Sequence, residues 1–203
     1  MNRRFLALGD SYTIGEGVEV GDRWPRQLAR ALREADVSID DPEIVAATGW
    51  TTDELASAIE RASPRPPFDL VTLLVGVNDH YRGRDLSDYD TRFRAVLGRV
   101  VELAGSDAAR VLVISIPDWG ATPFAARDPR GRGEIGREID GFNVAARAAA
   151  ESRGARWVDV TPVSRMADDD HTLLATDGLH PSRAMYTRWV ELILPHAIAA
   201  LRR

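Results

Sequence analysis

Two runs in the middle of the chain, LVTLLV at 70–75 and VLVISI at 111–116, are continuously apolar and rich in β-branched residues. A strand with one wet face alternates polar and apolar side chains. These runs do not alternate, so they predict strands covered on both faces, as in a parallel sheet. Three further short runs, Phe5–Leu8, Glu43–Ala47 and Arg156–Val160, predict strands as well. Between them apolar residues recur at helical spacing. Leu28, Leu32 and Ala35 follow Trp24-Pro25; Leu55, Ala58 and Ile59 lie within 52–62; Phe93, Val96, Leu97 and Val100 lie within 89–103; Ile139, Phe142, Ala146 and Ala149 lie within 135–152. A last helix is expected over 181–201, with Pro195 kinking it or ending its first part. Strands alternating with helices predict an α/β chain with a doubly wound, five-stranded parallel sheet. At 203 residues the chain is long enough for one sizeable core, so 1–203 is expected to form one domain.

Composition removes several chemistries. A formal net charge of -5 argues against a non-specific nucleic-acid binder, which needs excess positive charge to displace counterions. All 26 basic residues are Arg, which excludes a Schiff-base or phosphate-loop lysine. Cysteine is absent, excluding disulfides, thiolate nucleophiles and cysteine-based zinc sites. The apolar residues between Met1-Asn2-Arg3-Arg4 and Asp10 are too few for a signal sequence, and no run approaches membrane-spanning length. The expectation is a cytoplasmic protein without membrane insertion, and without metal or cofactor.

Ligands of open parallel sheets bind outside the carboxyl ends of the strands. Gly9-Asp10-Ser11 follows the first predicted strand, Thr48-Gly49-Trp50-Thr51 the second, Gly76-Val77-Asn78-Asp79 the third and Pro117-Asp118-Trp119-Gly120 the fourth. After the fifth, beyond a polar loop, comes Asp177-Gly178-Leu179-His180-Pro181. Singly, each has an ordinary reading: a turn, an Asx cap, a half-exposed histidine ahead of a helix that begins at Pro181. Together they place a serine, an Asp/His pair, an amide and two glycines on one rim, which is the inventory for acyl transfer. The spacing Asp177-x-x-His180 lets the carboxylate bend back onto the imidazole and fix its tautomer. Asp10 reads as a turn-holding residue beside Ser11. Trp50, Trp119 and Phe124 are candidate walls for a bound acyl or aromatic group, with packing as the alternative. The irregular stretch 118–133 is a candidate lid.

These residues resemble the SGNH hydrolases, the GDSL-type esterase/lipase family. GDS at 9–11, Gly49 in TGWTTDEL, GVND at 76–79 and DGLH at 177–180 are similar to four of its blocks, in the family's order. The resemblance implies the flavodoxin-like three-layer α/β/α sandwich, with no cofactor. It implies Ser11 as nucleophile, His180 as general base and Asp177 as its orienter, with Ser11 N–H, Gly49 N–H and the Asn78 side chain as oxyanion hole. A small-molecule ester is the implied substrate: a carboxylic ester, a thioester or an acetylated sugar. The family's second block often carries an asparagine a few residues before its glycine; Ile44 and Ala46 occupy that region here, which implies altered loop support. Thr13 in GDSYT replaces the final glycine of a Gly-x-Ser-x-Gly elbow, which argues against the α/β-hydrolase fold.

Two other classes compete. Gly15-Glu16-Gly17 and the acids at strand ends suggest a flavodoxin-like binding module, but there is no Gly-x-Gly-x-x-Gly and no lysine. Asp168-Asp169-Asp170-His171 suggests a metal hydrolase, but three consecutive acids cannot all face one ion.

Overall fold

A computed structural model of the chain describes residues 2–202. Five parallel strands, β1 (Phe5–Gly9), β2 (Glu43–Ala46), β3 (Leu70–Leu74), β4 (Val111–Ile114) and β5 (Arg156–Val158), form one sheet in the order β2-β1-β3-β4-β5. Eight α-helices are described: α1 (Ser11–Ile14), α2 (Trp24–Glu34), α3 (Thr52–Ala62), α4 (Val77–Tyr81), α5 (Leu86–Leu103), α6 (Arg132–Arg153), α7 (Thr161–Ser164) and α8 (Arg183–Leu201). Helix α2 packs on α8, while α5 packs against both α3 and α6. These two layers enclose the sheet in an α/β/α sandwich, as the strand–helix alternation predicts.

The burial pattern explains the strand sequences. Every residue of β1, β3 and β4 is buried, whereas edge strand β2 is exposed or half-buried. One continuous cluster of buried side chains runs through both helical layers and includes Trp24, Phe68, Phe93, Trp119 and Trp189. Each fully buried side chain of this size contributes about 1.5–3 kcal/mol of hydrophobic stabilisation. Helix boundaries follow local chemistry. Glu54 reaches back to the Thr51 N–H (2.9 Å) at the start of α3. Gly154, left-handed at φ 78°, closes α6.

Several expectations shift. Strands β4 and β5 stop short of Ile116 and Val160 because side chains take over the ladder. Ser115 Oγ accepts from the Val160 (2.8 Å) and Thr161 (3.1 Å) N–H groups, and Asn143 Oδ1 accepts from Ile116 N–H (2.9 Å). Helix α8 begins at Arg183, not Pro181, because Ser182 is its N-cap. It then continues through Pro195 to Leu201 rather than ending there. The short helices α1, α4 and α7 follow directly on strand ends and have too few residues for a periodic signal. Among the described residues no helix is long and apolar enough to cross a membrane.

The chain leaves β1 for β2 on one side and later leaves β3 for β4 on the other. The connections therefore diverge between the carboxyl ends of β1 and β3, where such sheets open a crevice. Gly9 ends β1 there, in register with Ala46 on one side and Leu74 on the other. A Cβ at this position would collide with Thr13 Oγ1 and the Leu74 carbonyl oxygen. Gly9→Ala is expected to destabilise the protein by about 1–3 kcal/mol. Urea denaturation should show a lower midpoint with an unchanged slope.

Candidate active site

Ser11 opens α1 immediately after β1. Asp10 caps that helix, its Oδ1 accepting the Tyr12 N–H (3.0 Å), and Gly15 closes it in the left-handed conformation. Ser11 is therefore held at the tip of a central strand by a cap, a single helical turn and a glycine. It is largely buried and lines a cavity of about 130 Å³ with Gly49, Asn78 and His180. Asp177 stands behind His180.

Gly49, with φ 82°, occupies a backbone region that other residues rarely adopt. Its carbonyl accepts from the Arg82 guanidinium at 2.6 Å, which anchors this loop to the residue just after α4. Helix α4 is tied down residue by residue. Asn78 Nδ2 donates to the Trp50 carbonyl (3.0 Å), which leaves its second amide N–H uncommitted to that bond. Asp79 Oδ2 accepts both the N–H and the hydroxyl of Thr52 at 2.9 Å, and its Oδ1 faces Arg84 at 3.2 Å. Burial raises the Asp79 pKa above its ordinary value, against the opposing effect of the Thr52 donors and Arg84. His80 Nδ1 accepts the indole N–H of Trp119 at 3.0 Å.

The segment 177–180 is a compact unit. Asp177 Oδ1 accepts the Leu179 and His180 N–H groups, both at 2.9 Å, and Oδ2 lies 2.6 Å from His180 Nδ1. Burial acts to raise the Asp177 pKa. The hydrogen bonds from the His180 ring and from the two backbone groups outweigh it and hold the carboxyl below its usual value. An ionised carboxylate only accepts, so His180 carries its proton on Nδ1 and Nε2 is left as a base. The Tyr12 ring leans on the imidazole, with centroids 5.2 Å apart.

Of the three aromatic residues expected as walls, Trp119 and Phe124 line the cavity. Trp50 does not. Its ring is half-buried against the core, and its contribution to the site is the carbonyl that holds Asn78. Tyr12, Tyr81 and Leu179 also form the wall and were not singled out from the sequence. Tyr81 had a findable signal: once α4 is helical, its i+3 spacing puts it on the side of Asn78. The stretch 118–133 is no loose flap at its start. Trp119 to Thr122 are buried, Phe124 N–H donates to Gly178 O (3.3 Å), and Arg132 Nε donates to Gly120 O (2.9 Å). The acids at 168–170 serve the surface: Asp168 pairs with Arg132 (2.8 Å), and Asp170 caps a short turn through the Thr172 N–H (3.0 Å). Among the described residues no group of three or more His, Asp or Glu is placed to hold a metal ion.

The sequence matches the GDSL-like Lipase/Acylhydrolase family over residues 7–188. No curated protein matches it. Among solved structures, that of TesA is similar at TM-score 0.72 and 19% identity, covering 98% of this chain and 100% of the other. The psychrotrophic esterase EstA from Pseudoalteromonas sp., inhibited by monoethylphosphonate, has a TM-score of 0.70 at 17% identity, with 100% of both chains covered. Axe2, an acetylxylan esterase from Geobacillus stearothermophilus, has a TM-score of 0.69 at 18% identity, covering 96% of this chain and 94% of the other. At these identities the likeness is one of fold.

Asp10, read from the sequence as a turn-holding residue, does cap α1, but its surroundings are unusual. The side chain is fully buried, and Oδ2 has no hydrogen-bond partner among the described residues. Burial pushes its pKa up to about 8; the Tyr12 N–H opposes this and the nearby Asp79 reinforces it. Between about pH 4 and pH 8 the folded protein therefore holds a proton that the unfolded chain releases. Stability must fall as pH rises through this window, by up to about 1.4 kcal/mol per pH unit. Asp10→Asn keeps the cap acceptor and removes the titration, so its melting temperature should exceed that of the native protein at pH 8 and the two should converge towards pH 4. Parallel melting curves across pH would contradict this.

Proposed function

Because the chain belongs to the GDSL-like lipase/acylhydrolase family and is with it a serine ester hydrolase, we propose that Ser11, His180 and Asp177 are its nucleophile, general base and orienting acid. One observation carries the reading. Ser11 and His180 line one small cavity with Gly49 and Asn78, while His180 Nδ1 is tied to Asp177 at 2.6 Å. In this mechanism Ser11 Oγ attacks the acyl carbonyl as His180 Nε2 takes its proton. Ser11 N–H, Gly49 N–H and the free N–H of Asn78 Nδ2 receive the negative charge on the carbonyl oxygen. The imidazolium, steadied by Asp177, then protonates the departing alcohol. Water repeats the sequence on the acyl-enzyme, regenerating Ser11 and releasing the acid. Residues 1–203 act as one hydrolase unit in this reading.

Cavity size narrows the substrate. The cavity of about 130 Å³ beside Ser11 is small, and Tyr12, Val77, Tyr81, Trp119, Phe124 and Leu179 give it mostly apolar walls. A short acyl group fits. Beyond Tyr81, Trp119 and Phe124 lies a larger cavity of about 560 Å³ that also meets Arg127, Asp128 and Asp177. It has room for the alcohol portion. Its mixture of aromatic rings with a guanidinium and carboxylates favours a polar, ring-bearing alcohol, so an O-deacetylase of acylated sugars is the second reading.

A fluorophosphonate probe should add its mass to Ser11, and Ser11→Ala should abolish labelling; an unlabelled native protein would sink the assignment. Asn78→Ala is expected to lower kcat/KM about 100- to 1,000-fold. Asp177→Asn should lower kcat by about 10⁴ with a small change in KM, because the imidazole loses the tautomer it needs. Across p-nitrophenyl esters, rates should fall from acetate to octanoate. A flat or rising series would contradict the small acyl cavity.

A further inference from the structure

Tyr81, Trp119 and Phe124 line both cavities, and Trp119 is the buried member against which the other two rings rest. Besides its packing in the core, its ring meets two aromatic rings, a guanidinium and an imidazole. Tyr81 and Phe124 meet it edge-on at 5.4 and 6.0 Å, and the Arg130 guanidinium lies 5.3 Å from its centre. The imidazole is that of His80, whose Nδ1 accepts the indole N–H at 3.0 Å. This last contact is the directional one, and it adds to the packing that holds the ring.

The indole nitrogen is a donor with no acceptor capacity, so His80 Nδ1 must be unprotonated. The His80 proton then resides on Nε2, where it is donated to Glu138 Oε2 at 2.8 Å. His80 is itself buried, with its side chain 2% exposed, while that of Glu138 is 37% exposed. A buried imidazole is thus held in one tautomer by a half-exposed carboxylate, and its other nitrogen holds the partition of the substrate site.

We propose that His80 is a specificity-determining positioning residue: the relay Glu138–His80–Trp119 fixes the indole partition that limits the acyl cavity. The proposal rests on the assignment of that cavity to the acyl group. A second proton on His80 would set two N–H donors against each other, break the bond to Trp119 and free the partition. The charged groups around the imidazole are Glu138 and Arg130, with Asp118 and Asp128 further off. Burial lowers the His80 pKa; the Glu138 hydrogen bond opposes this and Arg130 reinforces it. The relay is therefore intact at neutral pH and opens only in acid.

The decisive measurements are a substrate series and one resonance. For His80→Phe, which removes the acceptor, the ratio of kcat/KM for p-nitrophenyl hexanoate over acetate should rise about tenfold. The two acyl groups differ by four methylenes, and an apolar pocket discriminates by about tenfold or more for each methylene it rejects, so tenfold corresponds to partial opening of the wall. The change should sit in KM. His80→Asn, which can still offer an acceptor near the Nδ1 position, should restore much of the native ratio. In the Trp119→Phe background His80→Phe should add nothing further. The Trp119 indole N–H resonance of the native protein should shift on acidification, and that of His80→Asn should not. An unchanged chain-length ratio in a folded His80→Phe protein, or an indole resonance indifferent to both substitutions, would overturn the proposal. Fluorophosphonate labelling of Ser11 is scored separately: its failure in the native protein refutes the nucleophile, while the indole resonance still decides the role of His80.

Discussion

A buried carboxylate holds the rim of this sheet together. Asp79, at the start of α4 beyond β3, accepts the N–H and hydroxyl of Thr52, at the start of α3 beyond β2. Two loops on either side of β1 are thereby fixed to each other across the tip that carries Ser11. The same short helix sends Asn78 to the Trp50 carbonyl and His80 to Trp119. Five residues thus set the position of a potential oxyanion donor, a neighbouring loop and the far wall of the cavity. Such an arrangement is stiff because the bonds of Asp79 and His80 are buried, and leaving a partner unmatched there costs about 1–3 kcal/mol.

The site's two histidines show how one side chain serves opposite purposes. At His180 a carboxylate accepts the hydrogen bond from Nδ1–H, leaving Nε2 with a free lone pair. At His80 a carboxylate accepts the hydrogen bond from Nε2–H, leaving Nδ1 to accept an indole N–H. In each case an acid chooses the tautomer, and the remaining lone pair is aimed at the cavity or its wall. The acids differ as well. Asp177, partly exposed and well supplied with donors, stays ionised, whereas Asp10, buried with one oxygen unmatched, favours its protonated form. Keeping Asp10 neutral avoids a second negative charge beside the buried Asp79.

Much of this was legible in the chain. Continuous apolar runs identified β3 and β4, helical spacing identified α2, α3, α5, α6 and α8, and the position after each strand identified Ser11, Gly49 and Asn78. Local rules then reached their range. Helices α1, α4 and α7 are too short for periodicity to register, so the helical turn that carries Asn78 was not expected and Tyr81 went unnoticed. Pro195 lies inside α8, where packing along the helix overrides a local breaker. Trp50 looked like a wall because it follows a strand, yet its backbone, not its ring, serves the site.

The order of strands and helices, the parallel sheet and the set of polar residues along its carboxyl edge follow from the sequence alone, because burial on both faces and helical amphipathicity are written at spacings of two to four residues. Which of those residues touch was decided only in three dimensions. Thr52 and Asp79 are 27 residues apart, and His80 and Trp119 are 39 apart. Their hydrogen bonds depend on sheet register and on the rotation of a single helical turn, neither of which local propensity encodes. The partition between the small cavity beside Ser11 and its larger neighbour is a product of that packing.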